Sequence, residues 1–221
     1  MNRQQHRGAK ENRRCVIITA RIEGAIGAAL RIRADDFILC ADGGYDRATR
    51  EGITPAAVLG DFDSITAPPR DAPGMRTLVF PAEKDDSDTL LALKYGLDAG
   101  FRDFVVVGGL SGRFDHSFAN LQTASYCLDR GGRVWLADSM NKATLTDAGV
   151  FVLQPEKGFY FSLFAWSESC GGVEIENAKY SVRDLRLTQR FPIGLSNEFK
   201  EGPVTIRTES GRLLIVLSRK G

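Results

Sequence analysis

The chain has 221 residues, 43% of them hydrophobic and 26% charged, and its formal net charge is +1. This length allows one large domain or two modest ones, and the composition is ordinary for a globular protein. The nearly neutral charge argues against a protein that binds nucleic acid mainly by electrostatic attraction, because such proteins carry a strong excess of basic residues.

Residues 1–13 form a basic, polar segment, and such chain ends are seldom ordered, so we predict a flexible tail. The apolar run that follows, residues 15–20, is too short for the core of a signal peptide and suits a strand better. No apolar run reaches the roughly 20 residues that a membrane span needs. We therefore expect a soluble, cytoplasmic protein.

Short, continuously apolar runs alternate with helical patterns through the first two-thirds of the chain. Runs of this kind are typical of strands in a sheet that is covered on both faces. The alternation predicts an α/β fold with a doubly wound, mostly parallel sheet. The predicted strands are residues 15–20, 37–41, 57–59, 76–80, 104–107 and 134–137.

Two helices are predicted in this part of the chain. The first is capped by Ser87 and ends at Gly100. The second runs from about residue 115 to 130, where a pair of glycines stops it. It presents three large apolar residues: Phe118, Leu121 and Leu128.

The pattern changes near Asn141, where period-2 segments and turn signals replace the helical pattern. A run of strands after a run of strand–helix units predicts a second, all-β domain. We therefore expect an α/β domain at residues 14–140 and an all-β domain at residues 141–221. Its predicted strands are residues 143–146, 150–153, 158–165, 172–176, 204–208 and 213–217.

Four segments rich in acidic residues and glycine follow the predicted strands of the first domain. In open α/β sheets, ligands bind beyond the carboxyl ends of the strands. Carboxylates hold Mg²⁺, glycines such as Gly43 and Gly109 let the backbone approach phosphate, and cations neutralise the remaining charge. The segments, residues 41–44, 60–64, 84–88 and 108–116, therefore predict a site for a metal ion and a polyphosphate.

Each segment also has a plainer interpretation. Asp61 and Asp63 could form a solvated turn, since aspartate and glycine favour turns. Residues 84–88 could be only a charged loop before a capped helix, and His116 could be structural. The glycine patterns of P-loop kinases and of the common dinucleotide fold are both missing. Metal-assisted phosphoryl transfer without a covalent enzyme intermediate remains the best chemical interpretation.

The second domain contains one polar cluster, Gly-Leu-Ser-Asn-Glu-Phe at residues 194–199, which taken alone could be a turn. Together with the four acidic segments, in this order, it resembles the thiamine pyrophosphokinase family over residues 15–218. The resemblance implies that residues 14–140 are a catalytic domain that binds ATP and Mg²⁺, and that residues 141–221 are a β-sandwich that binds thiamine. It also implies a homodimer whose active site is shared between subunits. It also implies transfer of a diphosphoryl group from ATP to the hydroxyl of thiamine, which yields thiamine diphosphate and AMP.

The resemblance also assigns roles to individual positions. The matching Mg²⁺ ligands are Asp42, Asp61, Asp63 and Asp88. Positions around the ATP are Lys84, Arg113 and Asp115, and the catalytic set comprises Asp61, Asp63, Asp88 and Asp115. In the second domain, the positions matched to thiamine contacts are Tyr180, Ser196 and Asn197. Many members have glycine where this chain has Asn177.

Three questions stay open at this point. Either Asp88 or Asp115 could accept the proton of the thiamine hydroxyl. A related diphosphokinase could act on another hydroxyalkyl heterocycle, such as a pterin. The scaffold could also be a sensor that binds a nucleotide or thiamine without turnover.

Overall fold

A computed structural model describes residues 13–60, 74–79 and 86–221. The chain divides into two compact units between Ser139 and Met140. None of the helices in the described ranges is long and apolar enough to cross a membrane.

The first unit is a parallel sheet accompanied by helices. Its strands are β1 (Arg14–Ile18), β2 (Phe37–Ala41), β3 (Ala57–Gly60), β4 (Arg76–Val79), β5 (Asp103–Val107) and β6 (Arg133–Ala137). Its helices are α1 (Ile26–Ala29), α2 (Gly44–Arg50), α3 (Asp88–Asp98) and α4 (Phe114–Leu128). The strands lie in the order β4-β3-β2-β1-β5-β6, and every neighbouring pair is parallel. The predicted parallel sheet is thus confirmed.

The centre of this sheet is β1, whose residues Cys15–Ile18 are all fully buried. From β1 the chain builds outward to β4 on one side, and then returns to add β5 and β6 on the other. The order of the strands therefore reverses between β1 and β5. In open α/β sheets such a reversal leaves a crevice at the carboxyl ends of the strands.

Helix α3 begins and ends where the sequence predicts. The Ser87 hydroxyl accepts a hydrogen bond of 3.3 Å from the backbone N–H of Leu90, and Gly100 takes a φ of 93° just beyond the helix. Gly96 lies on the buried face, where an added Cβ would be 2.5 Å from the ring of Phe104. The missing side chain thus lets α3 pack closely on the sheet.

Replacing the cap of α3 is expected to cost stability. Ser87→Ala should lower the free energy of unfolding by about 1 kcal/mol, because one backbone N–H of the first turn loses its acceptor. Ser87→Asn, which keeps an acceptor at the same position, should recover most of this loss. Urea unfolding of the three proteins measures the difference, and equal midpoints for Ser87→Ala and the parent would contradict the cap.

Helix α4 differs from its prediction in the face that it buries. Phe118 is 46% exposed, and Leu121 and Leu128 are only partly buried. The helix packs against α3 and β6 through small residues instead, and this close packing favours short side chains over long ones. The buried positions are Asn120, Thr123, Ala124 and Cys127.

The second unit consists of two antiparallel sheets, as predicted. One contains β7 (Asn141–Thr146), β13 (Leu213–Arg219) and β9 (Phe159–Ala165) in that order. The other has the order β11 (Val182–Thr188), β10 (Ser169–Glu176), β12 (Val204–Thr208), β8 (Gly149–Leu153). Alternate residues of β9 and β13 are buried, which gives these strands one core face each.

Strand β11 was not predicted. It lies at the edge of its sheet, carries charged residues, and contains Asp184 with a φ of 52°. Its register with β10 is irregular, so the alternation that marks a strand in a sequence is broken.

Candidate active site

A cleft of about 300 Å³ opens at the carboxyl ends of β1, β2 and β5. The first residues of α3 and the first turns of α4 complete its walls. The cleft lies where the strand order reverses, which is the usual ligand position in an open α/β sheet. Backbone N–H groups at helix starts also favour anions there.

Asp42 lies in this cleft, directly after β2. Its backbone has a φ of 45°, which is uncommon outside glycine and costs of order 1 kcal/mol. Its N–H donates to the carbonyl of Leu59 at 2.7 Å, and a Cβ at Gly60 would be 3.1 Å from its Cα. The close approach of the ends of β2 and β3 therefore holds Asp42 in place.

Asp88 reaches the same cleft from the first turn of α3. The structure thus brings together two of the four carboxylates predicted to hold a metal ion. The other two, Asp61 and Asp63, lie outside the described residues, as does Lys84. Within the described ranges, no group of three acidic, histidine or cysteine side chains is placed to bind a metal. The described residues therefore contribute two carboxylates to the cleft, Asp42 and Asp88.

The glycines of the predicted phosphate segments have identifiable packing roles. A Cβ at Gly44 would lie 2.0 Å from the carbonyl oxygen of Ile18, so α2 can start against β1 only without a side chain there. Gly108 has a φ of 93°, and a Cβ on it would lie 2.4 Å from the carbonyl oxygen of Arg21. Gly109 accepts a hydrogen bond of 2.9 Å from the buried Asn120 amide. Gly43 precedes α2 as its N-cap residue.

Arg113 and Asp115 form an exposed ion pair rather than part of the cleft wall. Two hydrogen bonds join them, Nη2 to Oδ2 at 2.5 Å and Nε to Oδ1 at 3.1 Å. The bonded guanidinium lowers the pKa of Asp115, which makes this carboxylate a poorer proton acceptor. Of the two proposed acceptors, Asp88 is therefore the better placed.

Sequence reasoning assigned no role to three polar residues that line the cleft: Thr19, Arg21 and Asn120. Thr19 and Arg21 follow β1 directly, so the rule that ligands bind beyond strand ends could have identified them. The Thr19 hydroxyl donates to the carbonyl of Val107 at 3.0 Å and links the ends of β1 and β5. His116, for which a structural role was the plainer interpretation, also lies in the cleft.

In the second unit, residues 194–199 run beside the edge of β9. The backbones of Asn197 and Phe161 exchange two hydrogen bonds, of 2.8 and 3.0 Å, and Leu163 N–H donates to the carbonyl of Gly194 at 2.8 Å. A Cβ at Gly194 would lie 2.0 Å from the carbonyl oxygen of Leu163. The glycine therefore allows the segment to pair closely with the strand.

The three predicted thiamine contacts lie in one region of this unit. The amide of Asn197 is buried, accepts from the N–H groups of Tyr180 and Glu198 at 3.0 and 2.8 Å, and donates to the carbonyl of Tyr180 at 2.8 Å. These bonds fix the backbone of Tyr180, whose side chain is 57% exposed. Ser196 is exposed beside it, with its N–H bonded to the Ser162 hydroxyl at 3.0 Å. Asn197 thus positions Tyr180.

Asn177 occupies a backbone conformation that favours glycine, with a φ of 62°. Asparagine tolerates this region better than most residues. Its amide donates to the carbonyls of Glu201 and Pro203 at 2.7 and 2.8 Å, which stabilises the turn. Asn177 therefore takes a left-handed backbone conformation that a glycine would also accept.

Glu198 fastens the same region through ion pairs with Lys179 and Lys220. Hydrogen bonds from these two lysines lower the pKa of Glu198 from 4.5 to about 2. A depressed carboxylate pKa stabilises the folded state above the unfolded pKa, and this contribution is lost as the pH falls through the folded pKa. The pairs are exposed and screened by salt, so their effect is modest.

Glu198→Gln is expected to lower the melting temperature at neutral pH at low salt. The difference from the parent protein should narrow between about pH 4.5 and pH 2, where the parent carboxylate also becomes neutral. Glu201→Gln, a nearby exposed carboxylate without a lysine partner among the described residues, should show no such difference. A difference in melting temperature between Glu198→Gln and the parent that stays constant with pH would contradict the ion pairs.

Comparison with known proteins adds to this geometry. Residues 29–136 match the model "Thiamin pyrophosphokinase, catalytic domain", and residues 150–213 match "Thiamin pyrophosphokinase, vitamin B1 binding domain". The chain is 28% identical over 173 residues to a thiamine pyrophosphokinase of Bacillus subtilis, covering 76% of this chain and 80% of that protein. It is 25% identical over 177 residues to thiamin pyrophosphokinase 1 of Caenorhabditis elegans, covering 73% and 70%.

Solved structures show the same fold. The crystal structure of thiamine pyrophosphokinase from Bacillus subtilis superposes with a TM-score of 0.80 at 22% identity, covering 94% of this chain and 99% of that one. Thiamin pyrophosphokinase from Candida albicans gives a TM-score of 0.73 at 14% identity, covering 97% and 92%.

Proposed function

Because the chain belongs to the thiamine pyrophosphokinase family, we propose that it is an ATP-dependent kinase that transfers a diphosphoryl group to the hydroxyl of thiamine. The observation that carries this proposal is the cleft at the strand reversal, where Asp42 and Asp88 lie together beside two helix starts. Helix starts suit the phosphates of a nucleotide, and the carboxylates suit a divalent cation.

In this proposal the thiamine hydroxyl oxygen forms a bond to the β-phosphorus of ATP. The bond from that phosphorus to the oxygen bridging to the α-phosphorus breaks, and AMP leaves with the electron pair. We assign the hydroxyl proton to the carboxylate of Asp88, since Asp115 is paired with Arg113 outside the cleft wall. Most of the rate enhancement then comes from positioning the reactants and neutralising phosphate charge.

Mg²⁺ is the proposed cofactor. Asp42 is the candidate ligand in the described cleft, and Asp61 and Asp63 are candidates from outside the described residues. Bound there, the ion would neutralise charge on the phosphate oxygens. The predicted ligand role of Asp88 is an alternative to its role as proton acceptor, because a carboxylate bound to the metal is a weaker base.

The second unit is proposed to bind thiamine. The match of residues 150–213 to a vitamin B1 binding domain supports thiamine over a pterin as the acceptor. The exposed ring of Tyr180 can stack on a planar cation, and Ser196 offers a hydroxyl beside it. A thermal-shift comparison tests the choice, because stabilisation by a pterin and not by thiamine would overturn it.

We also propose a homodimer with an active site shared between subunits, which is the arrangement that the resemblance implies. Sedimentation at assay concentration tests it, and a fully active monomer would contradict it. The cytoplasmic location stays a prediction from the sequence.

The proposed reaction is tested by measuring AMP release from Mg-ATP with and without thiamine, and by identifying the product by mass. We expect AMP that depends on thiamine, together with thiamine diphosphate. If the folded protein binds both ligands but releases no AMP, the proposed function changes from a kinase to a sensor. AMP released only with another acceptor would keep the kinase chemistry and change the substrate.

A further inference from the structure

The loop after β1 places Arg21 in the wall of the cleft. Its backbone is held from the opposite side, where the Ser111 hydroxyl donates to the carbonyl of Arg21 at 3.0 Å. Arg47 secures the same loop by donating from Nη2 to the carbonyl of Gly24 at 2.5 Å. The absence of a side chain at Gly108 lets the two loops approach this closely. The position of Arg21 is therefore determined by contacts with other parts of the unit.

The guanidinium of Arg21 has no hydrogen bond or ion pair with any residue in the ranges that the structure describes. Other cations near the predicted phosphate segments are already engaged, Arg113 with Asp115 and Lys94 with Asp86. Arg21 is exposed, and its Nη1 lies 3.8 Å from the point that a Cβ at Gly112 would occupy. Among the described lining residues, it supplies the permanent positive charge of the cleft.

We propose that Arg21 binds phosphate oxygens of the nucleotide, a proposal that rests on the function proposed above. A guanidinium presents five donors in a planar fork that matches phosphate geometry, and it remains charged at any physiological pH. Its anchored backbone places Arg21 in the wall of the cleft at the strand reversal, which the starts of α3 and α4 also line. Arg21 thus performs, inside the cleft, the role that the sequence suggested for Arg113.

The test uses α,β-methylene-ATP with Mg²⁺, because this analogue cannot be cleaved at the bond that the reaction breaks. Isothermal titration of the full chain should show binding weakened about 10- to 100-fold by Arg21→Ala, the usual cost of removing a hydrogen bond to a charged group. Arg21→Lys keeps the charge but loses the planar fork of donors, so its affinity should lie between those of the parent and Arg21→Ala. Arg50→Ala, which removes an exposed arginine at the end of α2, should bind within about twofold of the parent.

Binding of the analogue needs no turnover, so the role of Arg21 is tested independently of the proposed reaction. If the parent binds the analogue and forms no thiamine diphosphate, the proposed reaction fails while the four affinities still decide the role of Arg21. Arg21→Ala with parental affinity would overturn the proposal. So would equal losses in Arg21→Ala and Arg21→Lys accompanied by lower melting temperatures in both, since that result would indicate a residue that only holds its loop.

Discussion

Asp88→Asn is expected to lower kcat for thiamine diphosphate formation by about 10²- to 10⁴-fold, the usual contribution of a positioned acid or base. The carboxylate lies in the cleft, and asparagine keeps its shape while losing the ability to accept a proton. The fold should survive, because Ser87 still caps α3. Initial rates at saturating ATP and thiamine, with circular dichroism of the same samples, measure both expectations.

The matched control is Asp98→Asn, at the other end of the same helix and exposed. It should keep nearly full activity. The two roles considered for Asp88 give different kinetics. A lost proton acceptor changes the dependence of rate on pH and leaves the Mg²⁺ requirement unchanged, whereas a lost ligand raises the Mg²⁺ requirement. Full activity of Asp88→Asn at all Mg²⁺ concentrations would remove this residue from the mechanism.

Gly44→Ala is expected to destabilise the first unit by about 3 kcal/mol, at the upper end for overpacking a buried site. The added Cβ would lie 2.0 Å from the carbonyl oxygen of Ile18, and this neighbour is backbone in the central strand, which cannot move away cheaply. Chemical denaturation followed by circular dichroism measures the loss. Activity should fall with stability, because Asp42 lies in the cleft only two residues before Gly44.

Gly27→Ala provides the comparison, since it also places alanine in a short helix but meets nothing within 4 Å. It should leave stability unchanged or raise it by up to about 1 kcal/mol through better helix propensity. Equal stabilities for the two variants would mean that the start of α2 can shift away from β1.

Much of the first unit could be predicted because β1, β2, β3 and β5 are buried along nearly their whole length. Such strands are short apolar runs, and these are visible in a sequence without any knowledge of their partners. Asp42 and Asp88 could be placed near one another because the ends of parallel strands meet at the same edge of a sheet. Both inferences depend on local patterns and one general rule of topology.

What could not be predicted depends on contacts between distant parts of the chain. The rule for strand ends could place Arg21 near the cleft, but the hydrogen bond that holds its carbonyl there comes from Ser111, 90 positions away, and leaves no signal in the sequence. The buried face of α4 uses small residues such as Thr123 and Ala124, so a search for large apolar side chains selects Phe118 instead. Strand β11 is interrupted by Asp184, whose backbone conformation follows from its pairing with β10.

The pairing of residues 194–197 with β9 has a consequence for solubility. An open strand edge can recruit strands from other molecules and start aggregation, and this segment shields that edge. Asn197 in this segment also holds the backbone of Tyr180 in place. One segment therefore both covers the edge of β9 and positions an aromatic ring. A variant of this segment can therefore be inactive for either of two reasons: Tyr180 is displaced, or the protein self-associates through the exposed strand edge. Light scattering distinguishes these causes because it detects only self-association.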